Sequence, residues 1–409
     1  MLAKNETDVV NTVLFCHQNK IPIVPRGAGT GLSGGCVPVA GSIIISTEKL
    51  QELEINPQAK TAIVEPGVIT KTLLDQAGEY YLTYPPDPAS YEESTIGGNI
   101  AENAGGLRCK RFGVTKDYVI GLRGVTVCGE IIETGIFNKQ RGFSLGDIFI
   151  GSEGTLIIIT KIAVRLIEKP EIGDTILVAF DNPGKAARSV SDINKAGIIL
   201  TVMEYLDGDA ASCSNKYEKT DGLDNAEGIL LLETPAENRD KITDMIKVIC
   251  ENNGCSHLMI EKDPVKAQQL WKIRRNMSKA VEEIAVYRIS EDVAVPNSQF
   301  PVMVSFVNDM NKTGKIRMNA YGHAGDGNLH VNFIAMTGND DEVIEIERGI
   351  EILLKKAIEF GGTLSGEHGI GLAKKKYLSL EYDPATLNTM RKIKTIFDPE
   401  NLLNPEKIF

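Results

Sequence analysis

Pro25-Arg26-Gly27-Ala28-Gly29-Thr30-Gly31-Leu32-Ser33-Gly34-Gly35 leaves a short apolar strand, Ile21 to Val24, and what comes after it decides the fold. The string holds G-x-G-x-x-G at Gly29, Gly31 and Gly34, the spacing of a dinucleotide-binding turn. Such a turn needs a helix next, with its N-terminus facing the pyrophosphate. Instead the chain runs Cys36-Val37-Pro38-Val39-Ala40-Gly41 into a β-branched strand, Ile43–Ile45. Pro38 and Gly41 forbid the helix, and a Rossmann domain is excluded. The loop can still offer successive backbone N–H groups to an anion without a helix. An ordinary turn is the plain alternative, but five glycines between positions 27 and 35 exceed what a turn needs. Phosphate binding is the expectation.

Two further strings have the same texture. Ser94-Thr95-Ile96-Gly97-Gly98-Asn99-Ile100-Ala101-Glu102-Asn103-Ala104-Gly105-Gly106 follows the stiff arm Pro85-Pro86-Asp87-Pro88. The third is Gly151-Ser152-Glu153-Gly154-Thr155-Leu156. Three strings of small residues with hydroxyl or amide groups point to a long cofactor threaded between backbones.

Around them the chain changes character once. An amphipathic helix opens at Glu6-Thr7-Asp8 and reaches about Lys20, with a strand directly after it. Helix then strand, with no strand before, is an incomplete βαβ unit and implies a missing N-terminal edge strand. Residues 42–160 are strand-rich, with helical periodicity only at Thr70–Gly78 and after Ser94. From Thr175 two β-α-β units follow each other: Thr175–Phe180, Gly184–Ala196 and Thr201–Leu206, then Gly228–Glu233, Ala236–Asn252 and His257–Ile260. That succession predicts a ferredoxin-like antiparallel α+β layer. A helix is expected at Pro264–Ile284, a strand near Ser290–Val295, another helix from Phe300, and a basic helix at Leu372–Leu380. The expected domains are 1–169, 170–380 and a C-terminal segment, 381–409, that returns to the first.

Composition narrows the function classes. At 409 residues the chain is too long for one ordinary core, and 42% hydrophobic with 24% charged residues excludes wholesale disorder. A net charge of -11 argues against nucleic-acid binding. No 18-residue apolar run and no signal-peptide pattern is present, so neither a transmembrane segment nor secretion is expected. Seven irregularly spaced cysteines fit reduced thiols in the cytoplasm. Cys250 and Cys255 lack the C-x-x-C runs of iron–sulfur clusters. Electron chemistry therefore falls to a bound organic cofactor.

Only five histidines occur, and three of them sit in two C-terminal glycine-rich strings. The first is Tyr321-Gly322-His323-Ala324-Gly325-Asp326-Gly327-Asn328-Leu329-His330-Val331-Asn332. With Asp326-Gly327 as a two-residue hairpin turn, His323 faces His330 and Tyr321 faces Asn332, all on one side of the ribbon. Opposed imidazoles there can share a metal ion. The second string is Ser365-Gly366-Glu367-His368-Gly369-Ile370-Gly371. Glu367 would complete a two-His, one-carboxylate site suited to Zn²⁺, Fe²⁺ or Mn²⁺, leaving His368 as a base. Solvated strand histidines and a helix-start carboxylate are the plain alternatives. Trp271-Lys272-Ile273-Arg274-Arg275 lies on an expected helix with the only tryptophan. A guanidinium there pairs bidentately with a carboxylate, as lysine cannot.

These motifs, in this order and up to Asn404-Pro405-Glu406-Lys407-Ile408-Phe409, resemble the vanillyl-alcohol-oxidase flavoprotein family. The likeness is strongest to its branch of D-lactate dehydrogenases, glycolate oxidase flavin subunits and D-2-hydroxyglutarate dehydrogenases. It implies a PCMH-type FAD-binding domain, truncated at its N-terminus, plus a ferredoxin-like α+β cap domain. In that family the loop from Pro25, Arg26, Gly27, Ala28, Gly29, Thr30, Gly31 and Leu32 to Gly34 holds the pyrophosphate of FAD. Pro86, Asp87, Ser94, Thr95, Gly97, Gly98, Asn103, Ala104, Gly105, Glu153 and Gly154 line the rest, and Asn404 returns to the flavin. His323, His330 and Glu367 match metal ligands, His368 the catalytic base, Arg274 the substrate-carboxylate anchor and Asn332 a substrate-side position. Ile157 departs from the family's usual glycine. Arg26–Gly35 holds no His or Cys for a covalent flavin bond, with Cys36 lying just beyond, so FAD is expected to bind non-covalently.

The implied activity is oxidation of a D-2-hydroxy acid, D-lactate or glycolate, with electrons passed to an electron-transferring flavoprotein, an iron–sulfur subunit or a quinone. Two other classes compete. A non-catalytic FAD-carrying subunit would need the first domain only, and the His/Glu set argues against it. A flavin-free metal hydrolase leaves three glycine strings unexplained.

Overall fold

The computed structural model describes residues 1–138, 144–217, 219–220 and 223–409. The chain folds as two units. One comprises Met1–Gly106, Phe112–Lys169 and Glu367–Phe409, the other Leu107–Arg111 and Pro170–Gly366. The last stretch thus joins the first unit at Glu367, earlier than the expected 381. Backbone pairing explains this: the Leu372 and Ala373 N–H groups both donate to the Ser33 carbonyl.

In the first unit, Asn5 caps the helix Glu6–Asn19 by accepting from the Asp8 N–H at 2.9 Å. β1 (Ile23–Arg26) then runs parallel to β2 (Ile43–Ser46), Ile23 opposite Ile43. The intervening glycine string makes bends and turns and no helix. β3 (Leu53–Asn56) is an addition to the sequence reading, and β4 (Thr61–Val64) pairs with it. β5 (Leu82–Thr83), β6 (Val119–Val125), β7 (Ile131–Glu133), β8 (Ile158–Arg165) and β9 (Ile167–Glu168) follow. The main sheet is antiparallel in the order β3-β4-β8-β6-β7, and β5 pairs with β9. Ile96 and Ile100 of the helix Ile96–Glu102 pack with Leu122, Phe149, Ile162 and Val164. A second cluster joins Val9, Val13, Ile23 and Ile45 to Leu402 and Leu403 near the C-terminus. The basic helix expected at Leu372–Leu380 is replaced by a 3₁₀ turn, Lys375–Tyr377, and one helical turn, Leu378–Glu381. Gly371 lies in the left-handed region, with φ 48°, just before this stretch.

The second unit is one antiparallel sheet of β10 (Ile172–Phe180), β11 (Val202–Asp207), β12 (Gly228–Pro235), β13 (His257–Glu261), β14 (Tyr287–Ala294), β15 (Arg317–His323) and β16 (Asn328–Ala335). Their order is β13-β10-β12-β11-β15-β16-β14. The first four, with helices Pro183–Lys195 and Arg239–Asn252, form the ferredoxin-like layer, and the last three extend it. The helix Gly208–Tyr217 is an addition to the sequence reading. The helix expected over 264–284 breaks at Asn276 into Pro264–Arg275 and Met277–Glu282.

Candidate active site

Because side chains alternate along a strand, the seven-stranded sheet sorts its polar residues by face. Glu204 on β11, Asn319, Tyr321 and His323 on β15, His330 and Asn332 on β16, and Arg288 and Asp292 on β14 share one face by their register. Glu204, Asp292, Asn319 and Asn332 are 0% exposed. Four polar side chains with no solvent contact need partners: Glu204 meets His323 and Arg274, Asp292 accepts from Ser365 Oγ, and Asn332 donates to Asn319.

The hairpin differs from its sequence reading by a slide of two residues. Tyr321, rather than His323, lies opposite His330, and Asn319, rather than Tyr321, lies opposite Asn332. Residues 324–327 form the connection in place of a two-residue Asp326-Gly327 turn, with the Gly325 N–H bound to the Met203 carbonyl and the Gly327 carbonyl to the Val295 N–H. These tertiary bonds outweigh the local hairpin preference. A slide of two residues keeps every side chain on its own face, so His323 and His330 become diagonal neighbours on it. Their rings stand edge to face with centroids 5.4 Å apart.

His323 lies directly across from Glu204, and its Nδ1 is 2.6 Å from Glu204 Oε1. Arg274 Nε donates to Glu204 Oε2 at 2.5 Å. The Arg274 guanidinium stacks over the Tyr321 ring, 4.7 Å from its centroid, and Tyr321 in turn meets His330 at 5.5 Å. Glu204, His323, His330, Tyr321 and Arg274 thus close a ring of contacts. Arg274 is placed by its helix: Asp263 caps it by accepting from Val265 and Lys266, and Trp271 anchors it by donating from Nε1 to Thr175 Oγ1. Arg274, one turn beyond Trp271, points inward and is buried, whereas Arg275 is exposed.

Asn332 is held on both sides: its Nδ2 donates to Asn319 Oδ1 at 2.8 Å and Arg288 Nη1 donates to its Oδ1 at 3.5 Å. Glu367 is the residue after Gly366, where the second unit's longer stretch ends. Its carboxylate and the two imidazoles offer ligand atoms that all lie within 4.8 Å of one another. Two nitrogens and one oxygen at that spacing fit a divalent Zn, Fe or Mn ion with open positions. The engaged Nδ1 of His323 leaves its Nε2 as the ligand atom. His368, half-buried, follows in the same loop.

In the first unit, the glycine strings come together as backbones. A Cβ on Gly27 would lie 2.4 Å from Thr95 Oγ1, and Thr95 itself accepts from the Gly98 N–H at 3.2 Å. A Cβ on Gly106 would lie 2.5 Å from the Asp87 carbonyl oxygen, so Pro86-Asp87 packs against Ala104-Gly105-Gly106. Ser94 is buried against Thr70, and Asn103 ends the helix Ile96–Glu102 in the left-handed conformation. The turn that carries Ala28, Gly29, Thr30, Gly31 and Leu32 lies open, Leu32 being 57% exposed. Asn404 Nδ2 donates to the carbonyls of Gly35 and Glu153, at 2.9 and 2.8 Å, while its Oδ1 is buried with no partner among the described residues. An open run of N–H groups and an orphaned buried acceptor fit a dinucleotide with a hydrogen-bonding ring. The Glu153 carboxylate accepts the N–H groups of Ile370 and Gly371, and Gly154, at φ 68°, passes beside Pro25.

The sequence reading missed Glu204, Asp292, Asn319 and Arg288 as residues of this sheet face. For Glu204 a signal was present, an acid between Met203 and Tyr205 in a mostly apolar strand.

Residues 1–135 match the family model described as "FAD binding domain", and residues 169–408 match "FAD linked oxidases, C-terminal domain". The chain is 39% identical to the glycolate oxidase subunit GlcD of Bacillus subtilis (strain 168), over 100% of this chain and 88% of that protein. It is 31% identical to a D-lactate dehydrogenase of Anaerostipes hadrus, over 99% and 88% respectively. Among solved structures, p-cresol methylhydroxylase superposes with a TM-score of 0.81 at 16% identity, covering 100% of this chain and 88% of that one. The fold, the paired domains and the sequence likeness agree, and the chain belongs to the FAD-linked oxidase family.

Proposed function

We propose that this chain oxidises a D-2-hydroxy acid, of the D-lactate or glycolate class, to the 2-oxo acid. The observation that carries the proposal is the Arg274 guanidinium held beside the His323, His330 and Glu367 ligand set. A carboxylate anchor next to a divalent-cation site suits a substrate with a hydroxyl one carbon from its carboxylate. The printed names of two relatives, a glycolate oxidase subunit and a D-lactate dehydrogenase, support the same substrate class.

Arg274 binds the substrate carboxylate through its terminal nitrogens, since Nε is taken by Glu204. His323, His330 and Glu367 would hold the metal, which supplies Lewis acidity at the substrate hydroxyl and eases its deprotonation. His368 removes that hydroxyl proton as general base. FAD, held by the first unit's loops and Asn404, supplies the two-electron acceptor for the α-hydrogen. Asn332, fixed by Asn319 and Arg288, shapes the substrate-side wall. The electrons would pass on to an electron-transferring flavoprotein, an iron–sulfur subunit or a quinone.

His368→Ala tests the assignment. It should lower kcat by at least ~10²-fold while the protein stays yellow. Turnover near that of the wild type would overturn the reading.

A further inference from the structure

Between Met203 and Tyr205 on β11, the carboxylate of Glu204 is 0% exposed. A lone carboxylate in such a place is strongly unfavourable unless both oxygens are bound. Here each oxygen has its own partner: Oε1 meets His323 Nδ1 at 2.6 Å and Oε2 meets Arg274 Nε at 2.5 Å. Sheet register places Glu204 straight across from His323, and the Trp271-anchored helix brings Arg274 to the other side.

We propose that Glu204 is a positioning residue that fixes the metal ligand His323 and the carboxylate anchor Arg274 with one side chain, an inference that rests on the proposed metal-assisted oxidation. By accepting from Nδ1–H, the carboxylate sets the tautomer whose bare Nε2 faces the metal. By accepting from Nε–H, it turns the guanidinium so that the terminal nitrogens point away from it. Among the described residues, Arg274 makes no other side-chain hydrogen bond. The same carboxylate sets the orientation of both groups. The metal ligand His323 and the carboxylate anchor Arg274 are therefore fixed relative to one another through one side chain.

Glu204→Gln separates this role from simple filling of space. An amide has one accepting and one donating end. If its oxygen stays on Arg274, its NH₂ meets His323 Nδ1 and forces the proton onto Nε2, where it blocks the metal. Turned over, the NH₂ meets the Nε–H of Arg274, donor against donor.

On FAD-loaded full-length protein, the dissociation constants of Zn²⁺ and Mn²⁺ are measured without substrate, and KM for D-lactate, glycolate and D-2-hydroxyglutarate with metal saturating. Glu204→Gln should weaken metal binding or raise KM for the substrate used by roughly 10–100-fold at unchanged flavin content. Arg274→Lys, as a control, should raise KM and leave metal binding unchanged.

If Glu204→Gln fails to fold, ¹⁵N-histidine NMR of the wild type decides. A proton on His323 Nδ1, assigned with a His323→Asn variant, supports the proposal, and a proton on Nε2 overturns it. Metal binding and KM both at wild-type values in folded Glu204→Gln would overturn this inference alone. A wild type that binds no divalent metal would overturn the metal reading and this inference together.

Discussion

The Glu153 carboxylate accepts the backbone N–H of Ile370 through Oε1 and that of Gly371 through Oε2, each at 2.7 Å. Glu153 is buried, which pushes its carboxyl above the usual range, and the two N–H groups oppose that shift. The contact fastens the loop that carries His368 to the third glycine string. Glu153→Gln keeps one acceptor and sets an NH₂ against the other N–H. A catalytic loop displaced by about 1 Å can cost ~10²-fold, so kcat should fall by roughly 10–100-fold with flavin content maintained. Steady-state kinetics alongside a visible spectrum check this, and an unchanged kcat would contradict it.

The C-terminal return also carries a buried ion pair, Lys394–Asp398. Lys394 Nζ donates to the carbonyls of Thr155 and Leu403, at 2.8 and 2.7 Å, and to Asp398 Oδ2 at 2.5 Å. Asp398 also accepts the N–H groups of Leu402 and Leu403. Lys394→Ala would strand a buried carboxylate and should cost about 3–5 kcal/mol. Denaturant unfolding measures the loss, and a change below about 1 kcal/mol would refute the argument.

Removing the metal should separate the two cofactors' contributions. Dialysis against a chelator should abolish turnover while the flavin spectrum persists, because the metal ligands and the glycine strings are different residues. Adding back Zn²⁺, Mn²⁺ or Fe²⁺ should restore activity. Full turnover with no detectable metal would rule out the metal-assisted step.

Asp207, at the end of β11, accepts from the Ala210 and Ala320 N–H groups, yet burial and the nearby Asp209 hold its carboxyl at about 7. In the unfolded chain it titrates near 4. Between these values the folded state binds more protons than the unfolded one. Stability from this group is therefore full below about pH 4 and is lost as pH rises toward 7, with a slope of at most about 1.4 kcal/mol per pH unit. Unfolding curves from pH 5 to 8 should show that decline, and Asp207→Asn should flatten it. A wild-type stability rising through this window as steeply as in Asp207→Asn would contradict the assignment.

The glycine strings were legible because Pro38 and Gly41 after Gly35 leave few backbone options, and the three strings do converge. The ferredoxin-like layer was legible from hydrophobic period alone. What the sequence concealed depends on pairing between distant strands. The β15–β16 register follows from bonds to Met203 and Val295, which no hairpin rule contains. Glu204 looked like one acid in an apolar strand until β11 was placed beside β15. The basic run after Gly371 reads as a helix because its propensity is good, but the structure gives it only a 3₁₀ turn and one helical turn.

Anaerobic mixing of the FAD-loaded protein with D-lactate, glycolate or D-2-hydroxyglutarate, followed by the visible flavin spectrum, tests the central claim most directly. The account predicts that at least one of these acids bleaches the yellow band stoichiometrically, that L-lactate does not, and that His368→Ala stays yellow over the same time. A flavin-loaded, metal-replete wild type that none of the three reduces would contradict it.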